Sequence, residues 1–198
     1  MPMGPAARVT DKVMHIVPGI LQPGPGSFNV IIGNLPAWRG IPGAAVAGLQ
    51  AAKTASDARV TAAEATTAAA TGPALPAAKA AEMTLKAAEA AAMSTMITSA
   101  SSGADIHVCV THVPIPVPPP HGPGVVIDGS PTVFINNLHA CRVGDTVLEA
   151  FGPPDKIITG CPTVIIGQKG GGPGGAASVP RTPCLKAAAS SGLPFIKV

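Results

Sequence analysis

The sequence predicts a mainly β protein, built from three look-alike segments and interrupted by an alanine-rich helical hairpin. A short phrase recurs along the chain: Pro5-Ala6-Ala7-Arg8-Val9-Thr10-Asp11 has a second copy in His139-Ala140-Cys141-Arg142-Val143-Gly144-Asp145 and a truncated third in Pro36-Ala37-Trp38-Arg39-Gly40. A strand-like phrase accompanies it, as Ser27-Phe28-Asn29-Val30-Ile31-Ile32-Gly33, Ser130-Pro131-Thr132-Val133-Phe134-Ile135-Asn136 and Cys161-Pro162-Thr163-Val164-Ile165-Ile166-Gly167. One repeat cannot bury its own apolar face and must pack against its siblings, so three copies predict a small body of approximate threefold internal symmetry. Between the copies, residues 41–103 switch to Ala, Thr, Lys, Glu and Met, a composition that suits helix.

Taken in order, residues 1–40 read as short strands and turns, because apolar runs such as Val30–Ile32 are bounded by Gly, Pro and Asn. Residues 41–103 read as an inserted antiparallel hairpin, with helices expected over Gly43–Thr71 and Pro76–Ser99. Gly72-Pro73 and Leu75-Pro76 break the two arms apart, and the second proline suits a helix N-terminus. Each arm extends roughly 35–45 Å at about 1.5 Å per residue. From 104 to 168 the β signals return, with strands expected at Ile106–Val110, Val125–Ile127, Thr132–Ile135 and Thr163–Ile166. Val113–Pro120 is too proline-rich for a ladder strand and predicts an extended polyproline-like run. Residues 169–198 form a Gly/Ala/Pro-rich tail. The β body is therefore discontinuous, drawn from 1–40 and 104–168.

Composition narrows the function. The 198 residues include 23 Gly and 23 Pro but only 3% aromatics and no Tyr, which argues against the aromatic stacking platforms of single-strand nucleic-acid binders. A formal charge of +3 without a Lys/Arg cluster gives no phosphate-tracking patch. Residues 1–25 lack a secretory pattern, and charged residues such as Lys53, Asp57, Arg59 and Glu64 interrupt the alanine-rich tract, against a membrane span. Four cysteines without pairing-like spacing fit synthesis in a reducing cytoplasm.

One constellation can carry chemistry. His107 and Cys109 are separated by one residue in a strand-like run, so alternation sends both side chains to the same face. His121 follows the proline tract in a turn-like Pro120-His121-Gly122, and His15 lies four residues after Asp11. Three imidazoles and one thiolate complete a tetrahedral site of the kind zinc prefers, although iron and nickel accept the same ligand types. His112 is the nearest competitor, with a spacing from His107 that points it to the other strand face. His139 stands in the repeat position of Pro5 and Pro36, and Cys141 and Cys161 stand in small-residue repeat slots, so packing roles are expected there. Arg8, Arg39 and Arg142 recur with the repeat and predict one structural contact made three times, with Asp11 and Asp145 as carboxylate partners. The sequence holds no nucleophile elbow, phosphate loop or HExxH motif, and no catalytic residue is expected.

These phrases resemble the PAAR-repeat family, whose members cap the spikes of type VI secretion systems and related contractile injection machines. The resemblance covers roughly 2–40 and 104–168. It implies a small conical three-repeat β-prism whose base sits on a trimeric VgrG-like spike, with a structural Zn2+ near the apex held by His15, His107, Cys109 and His121. It also implies a non-enzymatic spike-tip protein that helps puncture a target membrane and carries effector or cargo proteins. Such a protein is made in the bacterial cytoplasm, assembled on the spike and ejected from the cell or into a target cell. The sequence departs from the pattern in three ways: Ala150 stands where another Cys often precedes a Gly-Pro-Pro-Asp turn, the copy usually found last comes first, and the hairpin interrupts the middle. The competing readings are a small zinc hydrolase using His15, His107 and His121, and a fused effector with the hairpin as toxin.

Overall fold

A computed structural model of the chain describes residues 3–14, 19–20, 24–108 and 121–167. In chain order the elements are β1 (Gly4–Ala6), β2 (Lys12–Val13), β3 (Gly19–Ile20), β4 (Ile31–Ile32), β5 (Leu35–Pro36), α1 (Gly43–Ala69) and α2 (Ala74–Ser101). They continue with β6 (His107–Val108), β7 (Pro123–Val126), β8 (Phe134–Ile135), β9 (Leu138–His139), β10 (Thr146–Glu149), β11 (Asp155–Lys156) and β12 (Cys161–Ile166). Helices of 27 and 28 residues outweigh strands of at most 6, so the described fold is mixed α and β rather than mainly β. The inserted hairpin is long because alanine propagates helix well, whereas Pro and Gly cut every apolar run outside it. The expected polyproline run at Val113–Pro120 and the tail lie outside the described residues.

Two of the strand-like phrases close as tight hairpins. β4 pairs with β5 across Gly33 (φ 52°) and Asn34 (φ 67°), and β8 pairs with β9 across Asn136 (φ 53°) and Asn137 (φ 64°). Positive φ at both central residues is the twist-compatible hairpin turn, and Gly and Asn tolerate it. The third phrase, β12, finds its partner at the other end of the chain. Its Ile165 pairs with Pro5 and its Ile166 with Gly4, matching Ile31 with Pro36 and Phe134 with His139. This is the physical reason the last copy of the repeated phrase appears first.

Two closed circuits of backbone hydrogen bonds tie the three phrases together. Ala7 N–H donates to Cys141 O (2.9 Å), Cys141 N–H to Trp38 O (3.1 Å) and Trp38 N–H to Ala7 O (2.9 Å). In the second, Val9 N–H donates to Pro36 O (2.9 Å), Gly40 N–H to His139 O (2.8 Å) and Val143 N–H to Pro5 O (2.9 Å). Side chains repeat as well: Ala6, Ala37 and Ala140 are fully buried with Ile32, Ile135 and Ile166 in one apolar layer. Trp38 replaces the small Ala7 and Cys141 in the next layer and fills it together with Val13, Val126, Val147 and Ile157.

The third Arg phrase is interrupted rather than truncated. Asp105, on the far side of both helices, accepts from Arg39 N (2.8 Å), Nε (3.0 Å) and Nη2 (2.8 Å). Asp11 receives the same three donors from Arg8 at 2.7, 3.0 and 3.0 Å, and Asp145 accepts from Arg142 N and Nε, each at 2.9 Å. The hairpin is thus inserted inside a tight Arg-x-x-Asp turn, which hides the third Asp from any reading by spacing. Arg39 and Asp105 are both buried, so the pairing is needed to satisfy the charges.

The hairpin lies against the strands at its open end. Leu49, Met93 and Ile97 join Ile41, Val125, Leu138, Leu148 and Ala150 in a third buried cluster. Farther along, the helices hold each other by polar links. Arg59 Nη2 donates to Glu89 Oε2 at 2.8 Å, and Lys86 Nζ lies 2.7 Å from Glu64 Oε1. Pro76 sits in the first turn of α2, where no intrahelical N–H bond is lost. Among the described residues no helix is long and apolar enough to cross a membrane.

Candidate metal centre

One four-stranded antiparallel sheet, in the order β11-β10-β7-β6, carries the candidate site. Gly124, on the central strand β7, is paired with His107 on one side and Glu149 on the other. Its missing side chain is what lets the two neighbours meet over the strand, since a Cβ there would come within 2.9 Å of Glu149 Cγ and 3.0 Å of Val147 Cγ1. His107 Nε2 then lies 3.3 Å from Glu149 Oε1. His121 approaches the same carboxylate from the segment leading into β7, with Nδ1 2.8 Å from Glu149 Oε2. Its backbone is fixed by Phe151 N–H donating to His121 O at 2.9 Å, and Gly122 turns the chain with φ 78°.

Burial makes this arrangement chemically pointed. Glu149 is 0% and His107 1% exposed, while the His121 side chain keeps 31% of its surface open. A buried carboxylate is costly unless hydrogen-bonded or ligating, and two imidazoles on one carboxylate answer that cost. Asp155 closes the group: ligand atoms of His121, Glu149 and Asp155 all lie within 4.8 Å of one another. Nitrogen and carboxylate donors at that separation are the chemistry of a divalent first-row ion such as zinc, so the residues fit a metal.

Of the four ligands expected from the sequence, His107 and His121 meet at Glu149, while His15 and Cys109 lie outside the described residues, as does the competitor His112. His139 takes a different part, its Nδ1 2.8 Å from Ser130 O and its ring against Phe134. Cys141 and Cys161 are buried free thiols, in keeping with packing roles. Desolvation pushes the Cys141 thiol well above its usual range, whereas the Thr163 hydroxyl beside Cys161 lowers that one. Glu149 and Asp155 were not legible as site residues from composition or motif. One signal did exist, because Glu149 stands four residues after Asp145 as His15 stands four after Asp11.

The sequence pattern described as the PAAR motif matches residues 117–170, a narrower stretch than the resemblance read from the repeated phrases. That stretch contains His121, Glu149 and Asp155. Comparison with curated proteins and with solved structures gives no match.

Proposed function

From the premise that this chain is a PAAR-motif protein of the spike-associated, type VI secretion kind, we propose that it caps and sharpens a trimeric VgrG-like spike. The observation that carries this reading is the threefold recurrence of an apolar rim. Each of the three strand pairs turns one isoleucine inward (Ile32, Ile135, Ile166) and its neighbour outward, with Ile31 57%, Phe134 53% and Ile165 56% exposed. Three equivalent apolar contacts from one chain complement a partner with a true threefold axis, one contact per subunit. On this reading the three pairs are the faces of a tapering prism, and the candidate metal centre pins loops that have too little volume around them for a hydrophobic core.

The metal is a structural zinc, for which the family resemblance offers His15, His107, Cys109 and His121 as donors. The burial of His107 and Glu149 supports a closed, non-enzymatic centre over a hydrolase that keeps a position open for water. The tip is ejected with the spike, touches the target membrane only in passing and delivers cargo proteins attached to the hairpin or the tail. Nucleic acid is not a partner.

The test mixes the purified protein with its cognate spike trimer and reads mass and stoichiometry by size exclusion with light scattering. One chain per trimer is expected, and the triple variant Ile31→Asp, Phe134→Asp, Ile165→Asp abolishes the complex while keeping its own melting transition. Absence of a complex with the wild-type chain sinks the capping role.

A further inference from the structure

We infer that Glu149 binds the metal directly, and that His107 steadies Glu149 instead of ligating. The inference rests on the metal reading of this site. Glu149 is the geometric centre of the cluster: its two carboxylate oxygens lie 3.3 Å from His107 Nε2 and 2.8 Å from His121 Nδ1, and it also shares the close group with His121 and Asp155. It is fully buried, and Gly124 opposite it leaves the room its side chain occupies.

The strand register separates the roles of its two partners. β6 and β10 flank β7 with His107 and Glu149 level across Gly124, so His107 reaches Glu149 sideways, through Nε2 to Oε1. That is the second-layer contact in which an imidazole orients a ligating carboxylate. His121 enters from outside the sheet and keeps part of its ring open, and Asp155 sits on the next strand out, so these two face the same space as Glu149 from the other side. Sequence offset agrees, with Glu149 following Asp145 by the interval that separates His15 from Asp11. A carboxylate in this position makes the centre harder and less thiolate-rich than an all-imidazole and sulfur set, and so more tolerant of oxygen-preferring divalent ions.

The experiment uses the full chain loaded with Co2+, whose near-ultraviolet charge-transfer band reports each cysteine thiolate on the metal. Glu149→Cys is expected to gain intensity equal to one added thiolate over wild type, at one cobalt per chain. An unchanged band at full cobalt occupancy shows Glu149 to be outside the coordination sphere and overturns the inference, leaving the metal reading intact. A wild-type chain that takes up neither cobalt nor zinc overturns both. Should Glu149→Cys fail to fold, the Asp155→Asn variant decides the matter. Its infrared difference spectrum, zinc-loaded minus zinc-free, is expected to show a shifted carboxylate stretch that disappears when Glu149→Gln is added. A spectrum without that shift overturns the inference.

Discussion

At the scale of single residues, three Arg–Asp pairs repeat one contact in settings of different exposure, and exposure sets what each is worth. Arg39 and Asp105 are both buried, and Asp105 accepts three bonds from one arginine. Asp105→Asn removes the charge while leaving Arg39 in place, and the expected loss is about 3–5 kcal/mol, the usual cost of stranding a buried partner. Asp57→Asn is the control, because its pair with Lys53 has Asp57 largely in water and a surface bridge contributes about 0–1 kcal/mol. Urea denaturation of the two variants reads the difference. Gly124 is the other residue whose identity matters. Gly124→Ala drives a methyl into Glu149 Cγ, and on the proposed metal reading displacing that carboxylate is expected to weaken zinc binding about 10–100-fold in a chelator competition, the range seen when support around a metal ligand is removed.

At the scale of elements, the hairpin divides into an anchored end and an arm held by charges. Ile97 is fully buried against the strands, whereas Met83, in the N-terminal half of α2, is largely exposed. Ile97→Ala is expected to cost about 2–5 kcal/mol through the cavity it opens. Met83→Ala is expected to stay within about 0.5 kcal/mol. Along the arm, the Arg59 guanidinium and then the Ser56 hydroxyl hold the Glu89 carboxyl at about 2. A depressed carboxyl contributes stability that is present above its unfolded value, about 4.3, and is lost as pH falls through the folded one. The melting-temperature gap between wild type and Glu89→Gln is therefore expected to hold from pH 7 to 5 and to close between about pH 4 and 2. The gap is small, because water screens the exposed Arg59.

At the scale of the whole molecule, the described body is closed by strands from opposite ends of the chain. β1 and β12 form a pair that the other two copies make as covalent hairpins. Truncation after Gly160 removes β12 and uncovers Ala6 and the layer around Ile32 and Ile135. The expected result is loss of the cooperative melting transition and gain of dye binding to exposed apolar surface. Truncation after Gly167 keeps β12, and the transition is expected to survive. Circular dichroism melts of the two truncations separate these outcomes.

The sequence by itself determined the repeat, the two helices and half of the residues that meet at the candidate centre. Those features are written in local terms: alanine runs set helix, Gly and Asn set the tight turns, and a repeated phrase declares its own equivalence. It predicted helices over Gly43–Thr71 and Pro76–Ser99, close to the observed Gly43–Ala69 and Ala74–Ser101. Only the tertiary structure decided that Asp105 completes the Arg39 turn from across the insertion. It also decided that Glu149 and Asp155 join the histidines, and that the first and last copies pair. Each of these is a contact between residues distant along the chain, created when a strand register or a buried charge demands a partner, and spacing carries no record of that demand.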